Sequence, residues 1–177
     1  MGKVLGPEFF NRPTLTVARE LIGKFIVREI NGKRDAYVIT ETEGYVGFND
    51  LASHARAGKT LRTAPMFMQG GTIYAYFTYG MHWMLNFVTD KEGYPGGVLI
   101  RGAGTVVGPG RLARALKVDK TYSGQPLGKR TGLWVEDRGV MVAAKDIAKT
   151  PRVGIPNAGA YKDKPWRFVL KNKEKYN

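Results

Sequence analysis

The sequence predicts a single α+β domain built mainly on an antiparallel sheet. Two pairs of β-branched and aromatic runs are each joined by a turn signal, and the helical patterns beside them are short. The chain has 177 residues, of which 43% are hydrophobic, and no internal repeat is visible. This length allows one substantial core and is short for two domains. We therefore expect one domain over residues 1–177.

The first predicted element is a short amphipathic helix over residues 14–22. Gly23 follows it, at the place where a left-handed C-terminal cap is expected. The apolar residues that share one helical face are Leu15, Ala18, Leu21 and Ile22.

Two hairpins follow in the predicted order of elements. Residues 24–30 and 33–43 flank Asn31-Gly32, a dipeptide typical of a two-residue type I′ turn between paired strands. Residues 72–78 and 81–89 form a second pair of β-branched and aromatic runs, joined by a tight turn near Tyr79-Gly80. This turn would expose Tyr79 at the hairpin tip.

The second half of the chain contains shorter patterns. The sequence predicts a strand over residues 98–101, a helix over 111–116 behind the Gly108-Pro109-Gly110 breaker, and late strands over 133–135 and 166–170. The basic segment 171–177 is expected to be a frayed end.

The charge balance favours a polyanionic partner. The chain has 28 Lys and Arg against 15 Asp and Glu, with a formal net charge of +13, and its pI is near 10.0. Such a surface attracts nucleic-acid phosphates above all, although a generally basic proteome or a membrane-surface role would give the same excess.

Composition also argues against several kinds of site and location. Cysteine is absent and there are only two histidines, so disulfides, iron–sulfur clusters and thiolate zinc sites are excluded and no metal or other cofactor is expected. No apolar run is long enough to cross a bilayer, and the first residues do not resemble a signal peptide. We expect an intracellular protein, cytoplasmic or at the nucleoid if prokaryotic, without a membrane partner.

Two carboxylates stand out on the first hairpin. A strand period of two would point Glu41, Glu43 and Tyr45 to the same side. Both carboxylates could equally be exposed or paired with some of the many lysines and arginines. On a predicted strand elsewhere, Arg101 would need a partner if buried, and next to Glu43 it would keep that carboxylate ionised.

The second hairpin carries three tyrosines within a basic protein. Aromatic side chains on a basic surface are suited to stacking against bases. Ordinary strand packing is an alternative for Tyr74 and Tyr76, whereas exposed Tyr79 would make a wedge. Asn86 lies on the same predicted hairpin, where a base edge could be its partner, and His54 lies in a predicted loop, where a local hydrogen-bonding role is also open.

Several motifs occur together and in order. They are Glu41-Thr42-Glu43-Gly44-Tyr45-Val46-Gly47, Ala52-Ser53-His54, Met66-Phe67-Met68, Gly71-Thr72-Ile73-Tyr74-Ala75-Tyr76, Tyr79-Gly80-Met81 through Asn86, and Val98-Leu99-Ile100-Arg101, with further similarity at residues 108–112, 152–155 and 164–168. With these motifs the sequence resembles the alkyladenine (3-methyladenine, or methylpurine) DNA glycosylases over nearly the whole chain. The resemblance implies a curved antiparallel sheet with short helices around it and a protruding hairpin that inserts into the DNA minor groove.

The resemblance also implies an activity. The protein would be a monofunctional DNA glycosylase of base excision repair that flips out alkylated or deaminated purines and hydrolyses their bond to the sugar, leaving an abasic site. Candidate bases are 3-methyladenine, 7-methylguanine, hypoxanthine and ethenoadenine. The partner would be double-stranded DNA containing a damaged purine, bound by a monomer, and no lyase activity would be expected.

Site roles follow from the same resemblance. Glu43 would be the general base for the attacking water, with Arg101 helping to position that water and the carboxylate. The residues around the extruded base would be Tyr45, His54, Tyr76 and Asn86, and Asn86 would crowd the exocyclic amino group of normal guanine. Tyr79 would occupy the space of the flipped nucleotide, with Met81 beside it at the intercalating tip.

The sequence departs from many family members in three places. The segment after Arg101 is shortened to residues 102–107, so some DNA contacts are expected to be missing, and His82 and Asn157 replace residues common in the family. Two other functions compete with glycosylase activity. A non-catalytic nucleic-acid-binding module would leave Glu43 and Arg101 without a role, and a magnesium-dependent nuclease would need a further acidic cluster.

Overall fold

One antiparallel sheet organises the protein. In the computed structural model, which describes residues 2–176, the sheet has 10 strands, in the order β1-β8-β2-β3-β6-β5-β4, with β10 on β3, β9 on β10 and β7 on β6. The strands are β1 Lys3–Val4, β2 Phe25–Ile30, β3 Lys33–Tyr45, β4 Ile73–Thr78, β5 His82–Thr89, β6 Gly96–Ala103, β7 Val106–Val107, β8 Leu133–Asp137, β9 Ile147–Thr150 and β10 Arg167–Leu170.

The helices are short and lie around the sheet. They are α1 Pro7–Phe10, α2 Thr14–Glu20 and α3 Pro109–Ala115, with 3-10 turns at His54–Ala57, Ala64–Phe67, Lys120–Tyr122, Ala144–Asp146, Gly159–Asp163 and Lys173–Lys175. A single domain of this composition confirms the predicted α+β class. None of the helices among residues 2–176 is long and apolar enough to span a membrane.

The main core lies between the sheet and helices α2 and α3. α2 packs against β3 and β6, and α3 packs against β5 and β6. The largest fully buried side chains in this core include Phe10, Leu21, Ile26, Leu85 and Leu112. Burying apolar side chains of this size contributes about 1.5–3 kcal/mol each, which is the main stabilisation of the sheet against its helices.

The first hairpin forms as the sequence predicts. Asn31 and Gly32 both have positive φ angles, of 51° and 78°, as a type I′ turn requires. The predicted helix also forms, but it ends at Glu20, and Leu21 and Ile22 stay buried beyond its last turn. Gly23 has a φ of 87°, so its predicted left-handed conformation is confirmed, but it is not the helix cap: the C-cap is Leu21, and the Gly23 N–H donates to the Ile39 carbonyl of β3 at 2.9 Å.

Strand β3 is the longest strand and changes partners along its length. Its first half pairs with β2, and its second half pairs with β6 on one side and β10 on the other. Register shifts occur between Ile39 and Thr42, where the pairing with β6 is irregular. Such a bulge bends the strand and re-aims side chains, and here it precedes Glu43.

The C-terminal segment differs from the expectation. Through Tyr176 it is packed rather than frayed: the Lys171 N–H donates to the Asp146 carbonyl at 2.9 Å, and the Tyr176 hydroxyl donates to Asp146 Oδ2 at 2.7 Å. The Tyr176 ring also packs against the main core. Sequence pattern gave no sign of this because Asp146 lies 30 residues away; Asn177 falls outside the described residues.

Candidate active site

Strand β3 places two predicted site residues and a second carboxylate on one face. Glu41, Glu43 and Tyr45 point towards Arg101 and towards each other, as the period of two predicts. The intervening Thr42 points the other way and donates its hydroxyl to the Ala18 carbonyl of α2 at 2.7 Å.

The Glu43 carboxylate is fully buried and held by three groups from separate parts of the chain. The Val153 N–H donates to Oε1 at 2.7 Å, the Tyr45 hydroxyl donates to Oε2 at 2.9 Å, and Arg101 Nε lies 3.4 Å from Oε1. A carboxylate offers about four lone-pair sites, so these contacts leave acceptor capacity for one more ligand such as water.

Opposing contributions set the pKa of Glu43. Burial raises the pKa of Glu43, whereas Arg101, the Val153 N–H and the Tyr45 hydroxyl lower it, and the net direction is above the ordinary 4.5. Arg101 therefore offsets desolvation without cancelling it, because its closer contact is to Glu41. A carboxylate whose pKa is raised in this way takes up a proton more readily, which suits a general base.

Glu41 is buried and paired, so of the two alternatives for this residue the ion pair is confirmed and exposure is wrong. Its Oε1 accepts from Arg101 Nε and from Arg167 Nε, both at 2.8 Å. Burial by itself would raise the pKa of Glu41, but these two arginines bring it below the ordinary value. Glu41 thus stays ionised and fixes Arg101 beside Glu43.

A cavity of about 330 Å³ opens in front of this carboxylate pair. The predicted site residues that line it are Tyr45, His54, Tyr76, Tyr79, Asn86 and Arg101. Glu43 lies behind Tyr45, Arg101 and Val153, which form part of the wall. The volume is at the lower end of the range for small-molecule sites, so it suits one flat heterocycle better than a whole nucleotide.

The aromatic wall of the cavity is made by a histidine and two tyrosines. His54 lies on a 3-10 turn rather than in an irregular loop; its Nδ1 is 3.0 Å from the Tyr74 hydroxyl, and its ring meets Tyr76 edge to face at 4.5 Å. Burial, with a contribution from Arg62, lowers the pKa of His54 to about 4. His54 is therefore neutral at neutral pH and can accept or donate a hydrogen bond without carrying charge.

Asn86 closes another part of the wall. Its Nδ2 donates to the Tyr74 carbonyl on the neighbouring strand at 3.1 Å. This bond fixes the amide of a buried residue, so the position of Asn86 in the cavity is rigid. Its partner within the protein is thus a backbone carbonyl of β4.

The second hairpin carries exposed apolar side chains at its tip. Tyr79 and Gly80 have positive φ angles, of 52° and 67°, and the Met81 N–H donates back to the Thr78 carbonyl at 3.2 Å. Tyr79 is 77% exposed and Met81 63% exposed. The predicted hairpin and the exposure of Tyr79 are confirmed; Tyr79 borders the cavity and Met81 stands outside its lining.

The shortened segment after Arg101 forms a tight return. β6 continues to Ala103, Gly104 turns with a φ of 54°, and β7 pairs back onto β6. His82 packs against α3 so closely that a Cβ on Gly110 would lie 2.8 Å from its ring. Asn157 is exposed and lies outside the cavity lining.

Sequence reasoning missed two groups that reach Glu43 and Glu41 from distant parts of the chain. The Val153 N–H lies 110 residues away, and Arg167, which shares Glu41, lies 126 residues away. The motif around residues 152–155 was a signal, but only the fold shows that it meets β3. Among residues 2–176 there is no group of three or more histidines, cysteines, aspartates or glutamates that could hold a metal ion.

The chain is similar to known proteins over most of its length. The family model for methylpurine-DNA glycosylase (MPG) matches residues 8–107 and 102–174. A protein from Methanocella arvoryzae named "Putative 3-methyladenine DNA glycosylase" is 40% identical over 189 residues, covering 96% of this chain and 93% of its own length. Proteins of the same name from Desulfitobacterium hafniense (38% identical; 97% of each chain) and Anaeromyxobacter dehalogenans strain 2CP-1 (42% identical; 92% of this chain and 80% of its own) are also similar.

These matches define the class of the protein as a DNA glycosylase. More narrowly, the chain belongs to the methylpurine-DNA glycosylase family.

Proposed function

We propose that this protein is a monofunctional DNA glycosylase that flips an alkylated or deaminated purine out of duplex DNA and hydrolyses its N-glycosidic bond. The observation that carries the proposal is the buried Glu43–Arg101 contact at the wall of an aromatic cavity bordered by the exposed Tyr79. A cavity for the flipped nucleobase, a carboxylate to activate water and a wedge residue at the cavity entrance thus occur together.

In this reaction Glu43 acts as general base. A water molecule bound by Glu43 and Arg101 attacks C1′ of the sugar, its proton passes to the Glu43 carboxylate, and the electron pair of the glycosidic bond leaves with the purine. Ionised Glu43 also stabilises the positive charge that develops on the sugar as this bond breaks. The product is an abasic site.

The cavity walls select the base by shape and charge. Tyr45 and Tyr76 offer π faces, which attract electron-poor rings, and a methylated purine such as 3-methyladenine or 7-methylguanine carries a positive charge that strengthens this attraction. Neutral candidates are hypoxanthine and ethenoadenine. Asn86, fixed by its bond to the Tyr74 carbonyl, would crowd the exocyclic amino group of guanine and so disfavour the normal base.

The second hairpin enters the minor groove. Tyr79 fills the space that the flipped nucleotide vacates, with Met81 alongside, and offsets part of the unstacking cost of a few kcal/mol. The net charge of +13 supports binding of double-stranded DNA through phosphates. One monomer would hold one lesion.

The test is excision from labelled duplexes carrying a single hypoxanthine or ethenoadenine, and from methylated DNA, in the presence of a chelator. Strands are analysed before and after hot alkali. Breaks that appear only after alkali would support a metal-free monofunctional glycosylase. Breaks before alkali would indicate lyase or nuclease chemistry, and binding without excision of any lesion would favour the non-catalytic module.

A further inference from the structure

A second buried ion pair lies beside the proposed active site. The two side chains, Asp50 and Arg152, have no exposed surface. Arg152 Nη1 donates to Asp50 Oδ2 at 2.5 Å and Nη2 donates to Oδ1 at 2.8 Å. This bidentate geometry, with two parallel N–H···O bonds, fixes the relative orientation of an arginine and a carboxylate.

Arg152 is also tied to the strand that carries Glu43. Its Nη1 donates to the Gly44 carbonyl at 2.9 Å. Its guanidinium lies over the Tyr45 ring at 4.7 Å and over the Trp166 ring at 4.9 Å. The arginine is thus held between two rings, one of which belongs to the residue that donates its hydroxyl to Glu43.

Asp50 organises the segment on the other side. Its Oδ2 accepts the Val46 N–H and its Oδ1 accepts the Ala52 N–H, both at 3.0 Å. These residues lie between Tyr45 and His54, the two ends of the segment that forms one wall of the cavity. The Asp50–Arg152 pair therefore joins this segment to the one that follows β9.

The residue after Arg152 completes the link to the proposed base. The Val153 N–H donates to Glu43 Oε1 at 2.7 Å, whereas the Val153 side chain is 47% exposed. Arg152, the residue immediately before it, has a fully buried side chain and is the adjacent anchor for this stretch of backbone.

We infer that the Asp50–Arg152 pair is a positioning device for the general base: it holds the Val153 N–H and the Tyr45 ring in place, and through them it fixes the orientation of the Glu43 carboxylate. The inference rests on the proposed function. Buried ion pairs are weak evidence for stability, since apolar residues of similar volume often replace them without loss. A role in geometry accounts for why this pair shares its partners with Glu43.

Glu43 is faced by Glu41 and Tyr45 on its own strand, Arg101 on β6, Tyr76 on β4 and the Val153 N–H. Of these, the Val153 N–H and the Tyr45 hydroxyl depend on Arg152. Loosening both removes hydrogen bonds that favour ionised Glu43, so the pKa of Glu43 would rise further. Glu43 would then lose its base form at a higher pH than in the wild-type protein.

The test compares single-turnover excision from pH 5 to 9 with thermal unfolding for four proteins. They are the wild type, Arg152→Lys, the double variant Asp50→Leu/Arg152→Met, and the control Arg28→Met. Arg28 is another buried arginine with several hydrogen bonds, but its partners lie away from Glu43: they are the carbonyls of Glu29, Leu116 and Gly132 and the Tyr122 hydroxyl.

For the double variant we expect a lower Tm, because the Val46 and Ala52 N–H groups and the Gly44 carbonyl lose their partners. In the fraction that stays folded we expect excision slowed at least tenfold at neutral pH, with the acid limb of the rate profile moved to higher pH. Arg152→Lys keeps the positive charge but cannot form the two parallel hydrogen bonds to Asp50. Its acid limb should therefore move in the same direction by a smaller amount. Arg28→Met should lower Tm and leave the pH profile unmoved.

Wild-type rates and an unmoved acid limb in the folded double variant would overturn the inference. If the double variant does not fold, a wild-type profile in Arg152→Lys would overturn it equally. Absence of excision by the wild type would instead count against the proposed function, so the two failures are distinguishable.

Discussion

Replacing Tyr45 with phenylalanine removes one hydrogen bond to the proposed general base and keeps the ring that lines the cavity. The Tyr45 hydroxyl donates to Glu43 Oε2 at 2.9 Å. Burial, and the nearby Glu43 charge, raise the pKa of Tyr45 above its ordinary value, so at neutral pH the hydroxyl keeps its proton and remains a donor. This bond favours the ionised form of Glu43.

The size of the effect follows from the strength of a hydrogen bond to a charged group. A hydrogen bond to a charged group contributes about 1.5–3 kcal/mol, and a free-energy difference of about 1.36 kcal/mol moves a titration by one pH unit. Losing the donor raises the pKa of Glu43, which burial already raises. Since Glu43 must be deprotonated to accept a proton from water, the acid limb of the single-turnover rate moves to higher pH, by about one to two units.

The assay is single-turnover excision from a hypoxanthine duplex between pH 5 and 9. Tyr74→Phe is the matched control, because its hydroxyl faces His54 Nδ1 at 3.0 Å instead of Glu43. We expect the acid limb to move in Tyr45→Phe and to stay in place in Tyr74→Phe. An unmoved limb in Tyr45→Phe, or an equal shift in both variants, would refute the reasoning.

Three further predictions concern DNA binding and stability. Tyr79→Ala should weaken binding to lesion duplex by roughly 5- to 150-fold in fluorescence titrations, corresponding to about 1–3 kcal/mol of lost stacking, and weaken binding to undamaged duplex much less; equal losses on both duplexes would argue against a wedge. If the basic face neutralises about three phosphates, affinity for duplex should fall roughly 40-fold between 50 and 200 mM salt, and salt-insensitive affinity would contradict a phosphate-binding face. Leu85→Ala, in the core, should lower the free energy of unfolding by about 2–5 kcal/mol and Tm by roughly 4–20 °C in calorimetry. Leu61→Ala, at a fully exposed position, should leave Tm nearly unchanged. Equal Tm values for the two variants would contradict the described core.

Local signals predicted the parts of the fold that local chemistry determines. Three such parts are the Asn31-Gly32 turn, the left-handed conformation of Gly23 and the exposed tip at Tyr79. Each depends on a few consecutive residues whose φ angles are restricted by steric rules. The period of two likewise placed Glu41 and Glu43 on one face of β3, because alternation is a property of any strand.

The parts that depend on distant pairing were not predictable in the same way. The short strands β1, β7 and β9 contain two to four residues, too few to show a period. They form because β8, β6 and β10 offer them backbone partners. The packing of Tyr176 on Asp146 has the same origin.

The candidate site shows the same division. The resemblance gave Glu43 and Arg101, and the structure brings them within 3.4 Å. It did not give the competition between the two carboxylates for Arg101, which places the shorter contact of 2.8 Å on Glu41. The balance between desolvation and charge at Glu43 depends on this geometry, and sequence alone could not supply it.

The most direct test of the account is Glu43→Gln, with Glu41→Gln as the matched control two residues away on the same strand. Each protein is assayed for single-turnover excision of hypoxanthine from a labelled duplex and for binding to the same duplex. We predict that Glu43→Gln slows excision by about 10²-fold or more while lesion binding is retained, and that Glu41→Gln has a smaller effect. Wild-type excision by Glu43→Gln would contradict the assignment of Glu43 as the base that activates water.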